Sequence, residues 1–302
     1  LFGLDNIGNR LGLFFTSASA GSVSTVQHWL SLNSGSPFRP TSTVRKDQVF
    51  ILDGSYRPFD ADRRCVAAYN QGQAVALSSV SNSFAAPVPL MERFLIGTHL
   101  RNGYQRNFAG DLAEIRVYNR ALNDAERTLL HYHLAARYGT QLNSDHFAGR
   151  DPRYFRALVG LGCARDAGEG RTPGTVTESA WSGGLKLAAL HATLATDGEY
   201  LLAAYAATTN AWIENRWSRD WFVAPINSDG IDLKMTFDSV RATIATNTQR
   251  NFVLLYRATT TNTFSIVPNT TLTDRATQID IEVPAAYVRE GYYTLGLGSV
   301  PQ

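Results

Sequence analysis

Residues 231–238 read Ile-Asp-Leu-Lys-Met-Thr-Phe-Asp, with apolar and polar side chains at alternate positions throughout. Successive side chains of a β-strand point to opposite faces of a sheet, so this alternation predicts a strand with one buried and one wet face. Residues 279–283, Ile-Asp-Ile-Glu-Val, repeat the pattern. Two such strands indicate antiparallel sheets that share one core.

Short apolar runs bounded by Gly, Asn, Ser and Pro predict further strands in both directions from this stretch. In the second half they are residues 155–161, 185–190, 200–205, 221–224, 252–257, 263–267 and 292–297. In the first half they are residues 11–16, 24–32, 48–53, 65–70, 73–78, 93–98 and 113–118. The predicted fold class is all-β, with two β-sandwich domains.

One segment predicts a helix, residues 124–138. Asn123 and Glu126 have the spacing of a capping box, in which each side chain satisfies a backbone N–H group at the start of a helix. Apolar residues then recur every four positions up to Tyr138, and Gly139 is placed to end the helix. We expect this helix to pack against the first sandwich.

The chain has 302 residues, about twice a typical domain length, which favours two domains. A polar stretch predicts a linker at 143–153, between a first domain at 1–142 and a second at 154–302. The formal net charge of +2 argues against a nucleic-acid partner. No run approaches the roughly 18 apolar residues of a membrane span, so no membrane insertion is expected.

A specific pattern precedes and includes the helix. Residues 94–97 read Phe-Leu-Ile-Gly, and residues 108–122 read Phe-Ala-Gly-Asp-Leu-Ala-Glu-Ile-Arg-Val-Tyr-Asn-Arg-Ala-Leu. With the turn at residues 70–72, the pattern closely resembles the C-terminal part of laminin-G-like, concanavalin-A-like jelly-roll modules of large secreted bacterial proteins. The resemblance covers about residues 1–140. It implies an extracellular or cell-surface protein that binds glycan or protein ligands.

The position that matches Leu1 lies after the opening strands of such a module, so the domain is interpreted as N-terminally incomplete and part of a longer precursor. Unpaired backbone groups along a sheet edge are unfavourable. We expect the edge beside residues 11–16 or 24–32 to be covered by polypeptide from outside the chain or by a neighbouring subunit. The alternative is that residues 1–8 fold back and close that edge.

The second half carries Val-Gly-Leu-Gly at 159–162, Arg-Asp-Trp at 219–221 and Gly-Tyr-Tyr-Thr-Leu-Gly at 291–296. This pattern resembles an uncharacterised β domain that often follows jelly-roll modules in bacterial surface proteins. The resemblance implies a secreted context and no known reaction. It also implies that Trp221 lies in the core, with Arg219 packed or paired.

Catalysis is not expected. Jelly-roll sugar hydrolases use paired carboxylates, but Asp111 and Glu114 are three residues apart at a predicted strand start and point in different directions. No Ser-His-Asp set, Gly-rich phosphate loop or Cys-x-x-Cys pair is present. The predicted function is non-catalytic adhesion or recognition. The alternative is a structural subunit of an extracellular filament, sheath or surface layer, and a glycoside hydrolase or lyase is a remote third.

The candidate ligand site is the aromatic cluster at residues 212–221. Exposed Trp faces beside amide donors form sugar-binding platforms, which suggests Trp212, Trp217 and Asn215 as ligand contacts. The alternative is that the tryptophans belong to the core.

A loop offers carboxylates to calcium, the one cofactor considered. Its ligands would be Asp53, Asp60 and Asp62, although neighbouring arginines favour a solvated turn instead. Cys65 and Cys163 match no metal spacing; they form either a disulfide or two buried thiols.

Overall fold

The computed structural model describes residues 2–6, 9–17, 23–31, 41–45, 48–56, 66–75, 93–101, 104–108, 110–142, 157–164, 174–191, 194–205, 211–213, 215–228, 230–238, 251–275 and 277–298. The chain divides into two compact units, Leu1–Leu122 and Asn123–Gln302. Antiparallel sheets dominate both units, which confirms the all-β fold class. Among the described residues, no helix is both long and apolar enough to cross a membrane.

In its described residues the first unit contains three antiparallel sheets. Its strands are β1 (Phe2–Asn6), β2 (Asn9–Ser17), β3 (Val23–Ser31), β4 (Thr41–Arg45), β5 (Leu52–Tyr56), β6 (Val66–Asn70), β7 (Gln73–Ala74), β8 (Arg93–Ile96), β9 (Thr98–Arg101) and β10 (Tyr104–Asn107). The sheet orders are β4-β3-β2-β1-β8, β5-β6-β7 and β9-β10. Gln71 and Gly72 adopt positive φ and form the β6–β7 turn, as the sequence predicted.

Strands β2 and β3 of the five-stranded sheet are paired on both sides within the chain, and the outermost strands of this sheet are β4 and β8. Strand β1 pairs along β2, with Phe2 opposite Leu13 and Asn6 opposite Asn9, and its other side pairs with β8. Strand β3 lies between β2 and β4. The edge beside residues 11–16 and 24–32 is therefore paired within the chain, as in the alternative in which the N-terminal residues fold back, whereas completion of the domain by a neighbouring chain or subunit stays a prediction.

Residues 113–118 do not form the predicted strand. The segment pairs with no strand in the described part of the chain, and Leu112, Val117 and Tyr118 are exposed. A β-prone sequence forms a strand only where a neighbour offers backbone partners and a surface to pack on. The alternation of apolar and polar residues in this segment was therefore not sufficient to predict a strand.

The predicted helix is confirmed as α1 (Asp124–Tyr138). The Glu126 N–H donates to the Asn123 side chain over 2.9 Å, and the Asn123 N–H donates to the Glu126 carboxylate over 2.9 Å. Gly139 ends the helix with φ +65°, a left-handed conformation that glycine adopts without strain. Both predicted boundaries of the helix are correct.

The packing partner predicted for α1 was wrong. The helix packs on β11 (Ala157–Ala164) and β12 (Gly174–Val176), and it lies within the second unit, Asn123–Gln302. A Cβ atom at Gly160 would lie 2.6 Å from the Leu129 side chain, so the bare backbone of β11 lets the helix approach closely. The predicted linker, 143–153, lies outside the described residues.

The second unit is a sandwich of a large and a small sheet. Besides β11 and β12, its strands are β13 (Leu185–Ala189), β14 (Glu199–Tyr205), β15 (Trp212–Ile213), β16 (Arg216–Trp217), β17 (Trp221–Ile226), β18 (Leu233–Asp238), β19 (Phe252–Arg257), β20 (Ser265–Ile266), β21 (Thr271–Arg275), β22 (Gln278–Val283) and β23 (Gly291–Leu297). The strand order of the large sheet is β12-β11-β14-β17-β23-β16-β15, with β19 paired to the other side of β23 and β20 paired to β19. The strand order of the small sheet is β13-β18-β22-β21. One short 3₁₀ turn, Ala285–Tyr287, precedes β23.

The core of this unit lies between the two sheets. Leu233, Met235 and Phe237 of β18 face Trp221, Tyr293 and other apolar side chains of the large sheet, and all are buried. The strictly alternating stretches thus form β18 and β22, which pair with each other in register from Leu233–Val283 to Asp238–Gln278.

Two buried tyrosines make the stability of this unit sensitive to alkaline pH. Burial raises the pKa of Tyr200 and of Tyr293 to about 12, whereas a tyrosine in an unfolded chain titrates near 10. Their contribution is complete below about pH 10 and is lost as the pH rises toward 12, because the unfolded chain releases these protons first. We expect the free energy of unfolding to fall by roughly 1.4 kcal/mol per pH unit for each tyrosine in that window.

Urea unfolding measured at pH 8, 10 and 11 checks this expectation. The Tyr200→Phe variant removes one of the two titrations, so its stability should fall with about half the slope. An identical slope in wild type and variant would show that Tyr200 does not titrate with folding.

Candidate functional site

The predicted ligand segment forms a short hairpin at the edge of the large sheet. Trp212 of β15 lies opposite Trp217 of β16, and Ile213 lies opposite Arg216. Residues directly opposite each other share a face of the sheet. The tryptophans therefore point to the core face, and Ile213 and Arg216 point to the outer face.

Trp217 is not a surface residue, so its predicted role as an exposed ligand contact was wrong. Its side chain is 0% exposed and its ring lies 6.3 Å from Phe237, edge to face. Trp212 is half-buried beside Phe252, at 6.5 Å between ring centroids. Asn215 is exposed in the turn, and its backbone carbonyl accepts a hydrogen bond from Leu297 N–H over 2.7 Å. Because strand geometry turns both tryptophans inward, they form no exposed platform.

The outer face of the same end of the sheet carries a patch of apolar, aromatic and cationic side chains. The strands run β15-β16-β23-β19-β20 here, and the registers place Arg216 opposite Gly296, Gly296 opposite Val253, and Leu255 opposite Ile266. We call this surface the open-face patch. Its residues are Ile213, Arg216, Val253, Leu255, Arg257, Phe264 and Ile266.

The patch is accessible to solvent. Ile213 is 48% exposed and Ile266 is 58% exposed, at its two ends. The residues between them are partly buried. A Cβ atom at Gly296 would lie 2.5 Å from the Leu255 side chain, so Leu255 occupies the space over this glycine and forms the floor of the patch.

Two arginines lie on one aromatic ring in the patch. The guanidinium carbon of Arg216 is 5.0 Å from the centroid of Phe264, and that of Arg257 is 4.5 Å from it. Both distances are within the range of a cation–π interaction. Because Arg216 lies on β16 and Phe264 directly precedes β20, the two side chains meet across β23 and β19.

The two arginines differ in how their charge is compensated. Arg257 donates to the Asp220 carboxylate over 2.6 Å and to the Thr260 carbonyl over 2.9 Å, and the ion pair is largely buried. Arg216 donates one hydrogen bond, to the Trp217 carbonyl over 3.2 Å. Within the described residues no carboxylate contacts Arg216. The patch therefore carries one structural cation and one cation available to a ligand.

The chemistry that these side chains support is binding. Guanidinium groups donate hydrogen bonds to oxyanions, and the isoleucine, leucine and phenylalanine side chains bury apolar surface. Asp220 is engaged by Arg257. Glu114 accepts from Arg116 over 2.5 Å, and neither it nor Asp111 lies on a strand.

The predicted calcium site falls largely outside the described residues. Asp53 is half-buried on β5, whereas Asp60 and Asp62 are not described. In the part of the chain that is described, no three His, Cys, Asp or Glu side chains come together as a metal site. Calcium binding by this loop stays a prediction.

Cys163 carries a free thiol in the core of the second unit. This state is the alternative to a disulfide with Cys65, which lies outside the described residues. Burial raises the pKa of the Cys163 thiol, so the reactive thiolate is disfavoured.

The implied placement of Arg219 and Trp221 is confirmed. Trp221 is buried, with its ring centroid 4.8 Å from that of Tyr205. The Arg219 guanidinium lies 4.4 Å from the Tyr205 centroid and donates to the Gly183 carbonyl. The Thr294 hydroxyl lies 3.0 Å and 2.8 Å from the Trp217 and Arg219 carbonyl oxygens, which fixes the connection between β16 and β17.

Sequence reasoning did not find Arg216, Phe264 and Ile266 as site residues. The signal was the period of two: in Trp212-Ile213 and Arg216-Trp217, burying the tryptophans places the other two side chains on the opposite face. In the same way, Phe264 and Ile266 flank Ser265. Arg216 and Phe264 come together only because β16, β23, β19 and β20 are neighbours in the sheet, and this order involves residues far apart in the sequence.

No family model, curated protein or solved structure matches the chain. The resemblance to laminin-G-like modules therefore stays a prediction, and the functional proposal rests on the geometry of the open-face patch.

Proposed function

We propose that this protein is a non-catalytic binding protein of the cell surface or extracellular space, and that its open-face patch contacts a glycan or protein ligand. The observation that carries the proposal is the exposure of Ile213 and Ile266 on either side of Arg216 and Phe264. Exposed apolar side chains that cluster with aromatic residues and arginine are typical of interaction sites rather than of ordinary surface.

Support for the extracellular setting comes from the sequence. The laminin-G-like pattern at residues 94–97 and 108–122 is typical of secreted modules, and the small net charge of +2 gives no reason to invoke a nucleic-acid partner.

The alternative, a structural subunit of an extracellular assembly, was motivated by an open edge beside β2 or β3, and these strands are paired by β1 and β4. In the described residues the outermost strands, β4 and β8, each pair on one side. We place recognition first because the open-face patch supports it.

A double substitution tests the proposal. Ile213→Thr with Ile266→Thr keeps the β-branched shape of both side chains but removes apolar surface at both ends of the patch. Burying one such side chain contributes about 1.5–3 kcal/mol, and 1.4 kcal/mol corresponds to tenfold in affinity. We expect the double variant to bind at least about tenfold more weakly, as measured by interferometry on immobilised polysaccharides and extracellular matrix proteins.

Val117→Thr is the matched control, because Val117 is 68% exposed but lies in the first unit. It should bind as wild type does, and thermal unfolding should show that all variants are folded. Wild-type affinity in the double variant would disprove a binding role for the patch.

A further inference from the structure

We propose that the open-face patch selects an acidic polysaccharide, in which Arg216 binds the carboxylate of a uronic acid residue. This inference rests on the proposed function and names its ligand class. It follows from the charge, the position and the surroundings of one guanidinium group.

The charge of the patch is uneven. The charge of Arg257 is compensated by Asp220 at 2.6 Å, within a pair whose two side chains are 17% and 13% exposed. Arg216 has no carboxylate partner among the residues that the structure describes, and its hydrogen bond to the Trp217 carbonyl leaves most of its five N–H donors for a ligand. The complementary ligand is therefore an anion.

The position of Arg216 favours a planar anion. Its guanidinium lies 5.0 Å from the Phe264 centroid, so the ring holds the group in place before a ligand arrives. A held guanidinium loses less side-chain entropy on binding and presents a rigid fork that matches the two oxygens of a carboxylate. The apolar side chains around it lower the local polarity, which strengthens a charge-assisted hydrogen bond.

The surroundings favour a sugar as the carrier of that anion. A pyranose ring has an apolar face of C–H groups, and a uronic acid adds a carboxylate at the edge of the same ring. Ile213 and Ile266 are exposed beside the cation, and Leu255 forms the floor. Such a surface can bury the C–H face while Arg216 binds the carboxylate.

The test compares two polymers with the same backbone. Polygalacturonate carries a carboxylate on each sugar, and its methyl ester carries none. We expect the wild-type chain to bind polygalacturonate at least about tenfold more tightly than the ester, with an affinity that falls as salt rises. Arg216→Gln should bind both polymers alike, and Arg216→Lys should recover part of the preference because it restores the charge without the fork.

Arg137→Gln is the control variant, because Arg137 is exposed on α1 and its loss changes the net charge equally. It should keep the wild-type preference. Dextran sulfate and dextran separate carboxylate recognition from general attraction to polyanions. A preference for dextran sulfate over polygalacturonate, or equal losses in Arg216→Gln and Arg137→Gln, would overturn the proposal.

The remaining outcomes separate this proposal from the function on which it rests. Equal binding of the acid and the ester, reduced by Ile213→Thr with Ile266→Thr, would overturn acid selection and leave a neutral-glycan site. Binding to a matrix protein but to no polysaccharide, with the same dependence on the isoleucines, would overturn the ligand class and leave the proposed function. Wild-type binding by the isoleucine double variant would overturn both the proposed acid selection and the proposed binding function of the patch.

Discussion

Replacement of Trp221 by Ala is expected to lower the free energy of unfolding of the second unit by about 3–5 kcal/mol. The side chain is 0% exposed and packs on Tyr205, and the adjacent Gly183 backbone, held by Arg219, approaches the indole closely. These neighbours are themselves fixed, so they cannot collapse into the space that the indole leaves. The loss therefore includes both the lost burial and the cavity.

Denaturant unfolding followed by far-ultraviolet circular dichroism measures this loss without relying on tryptophan fluorescence. Trp181→Ala is the matched control, because Trp181 is 46% exposed and its truncation should cost far less. Trp221 would instead be a ligand contact if its replacement left the unfolding transition in place but abolished glycan binding.

The sequence predicted best those elements whose pattern is local. Strict alternation identified β18 and β22, because one face of each is packed in the core and a shift by one residue would expose that face. The capping box at Asn123 and Glu126 identified the start of α1 for a similar reason: all of its hydrogen bonds form within four residues.

The placement of α1 could not be derived from local pattern. The helix follows the first unit in the sequence, but Gly160 of β11 leaves space for Leu129, and Tyr200 of β14 meets Tyr132 with ring centroids 6.4 Å apart. A Cβ atom at Gly162 would lie 2.5 Å from the Tyr200 ring, so this glycine also leaves space. These contacts join residues far apart in the chain, and a glycine in a sequence does not reveal which side chain fills its space.

The ligand site shows the same limit. The tryptophans at 212 and 217 suggested a platform because of their residue type, whereas the strand register decides which way each side chain points. Arg216 meets Phe264 only because β16, β23, β19 and β20 lie side by side, and this strand order is not contained in the local sequence pattern.

The buried ion pair of α1 gives the second large expected effect. Asp124 and Arg127 are joined over 2.8 Å, and their side chains are 7% and 5% exposed. Asp124→Ala leaves the guanidinium buried without this carboxylate, which is expected to cost about 3–5 kcal/mol. Asp124 also lies in the first turn of the helix, where a negative charge contributes roughly 0.3–1 kcal/mol through the helix dipole.

The control is the exposed ion pair of Glu178 and Lys186, whose side chains are 59% and 28% exposed. Water solvates both partners of that pair, so Glu178→Ala should cost less than about 1 kcal/mol. A loss in Asp124→Ala no larger than in Glu178→Ala would show that the buried pair is solvated in solution.

The double variant Asp124→Leu with Arg127→Met separates the ion pair from packing. Replacing both partners by apolar side chains leaves no buried charge, so it should destabilise the protein less than Asp124→Ala does.

The same variants also test which unit the helix packs against, because the two units can unfold in separate transitions. Arg127 interacts electrostatically with Tyr200 on β14. We therefore expect Asp124→Ala to lower the stability of the second unit, the same unit whose stability depends on the alkaline titration of Tyr200. If only the unfolding transition of the first unit shifted, the helix would pack against the first sandwich, as the sequence alone predicted.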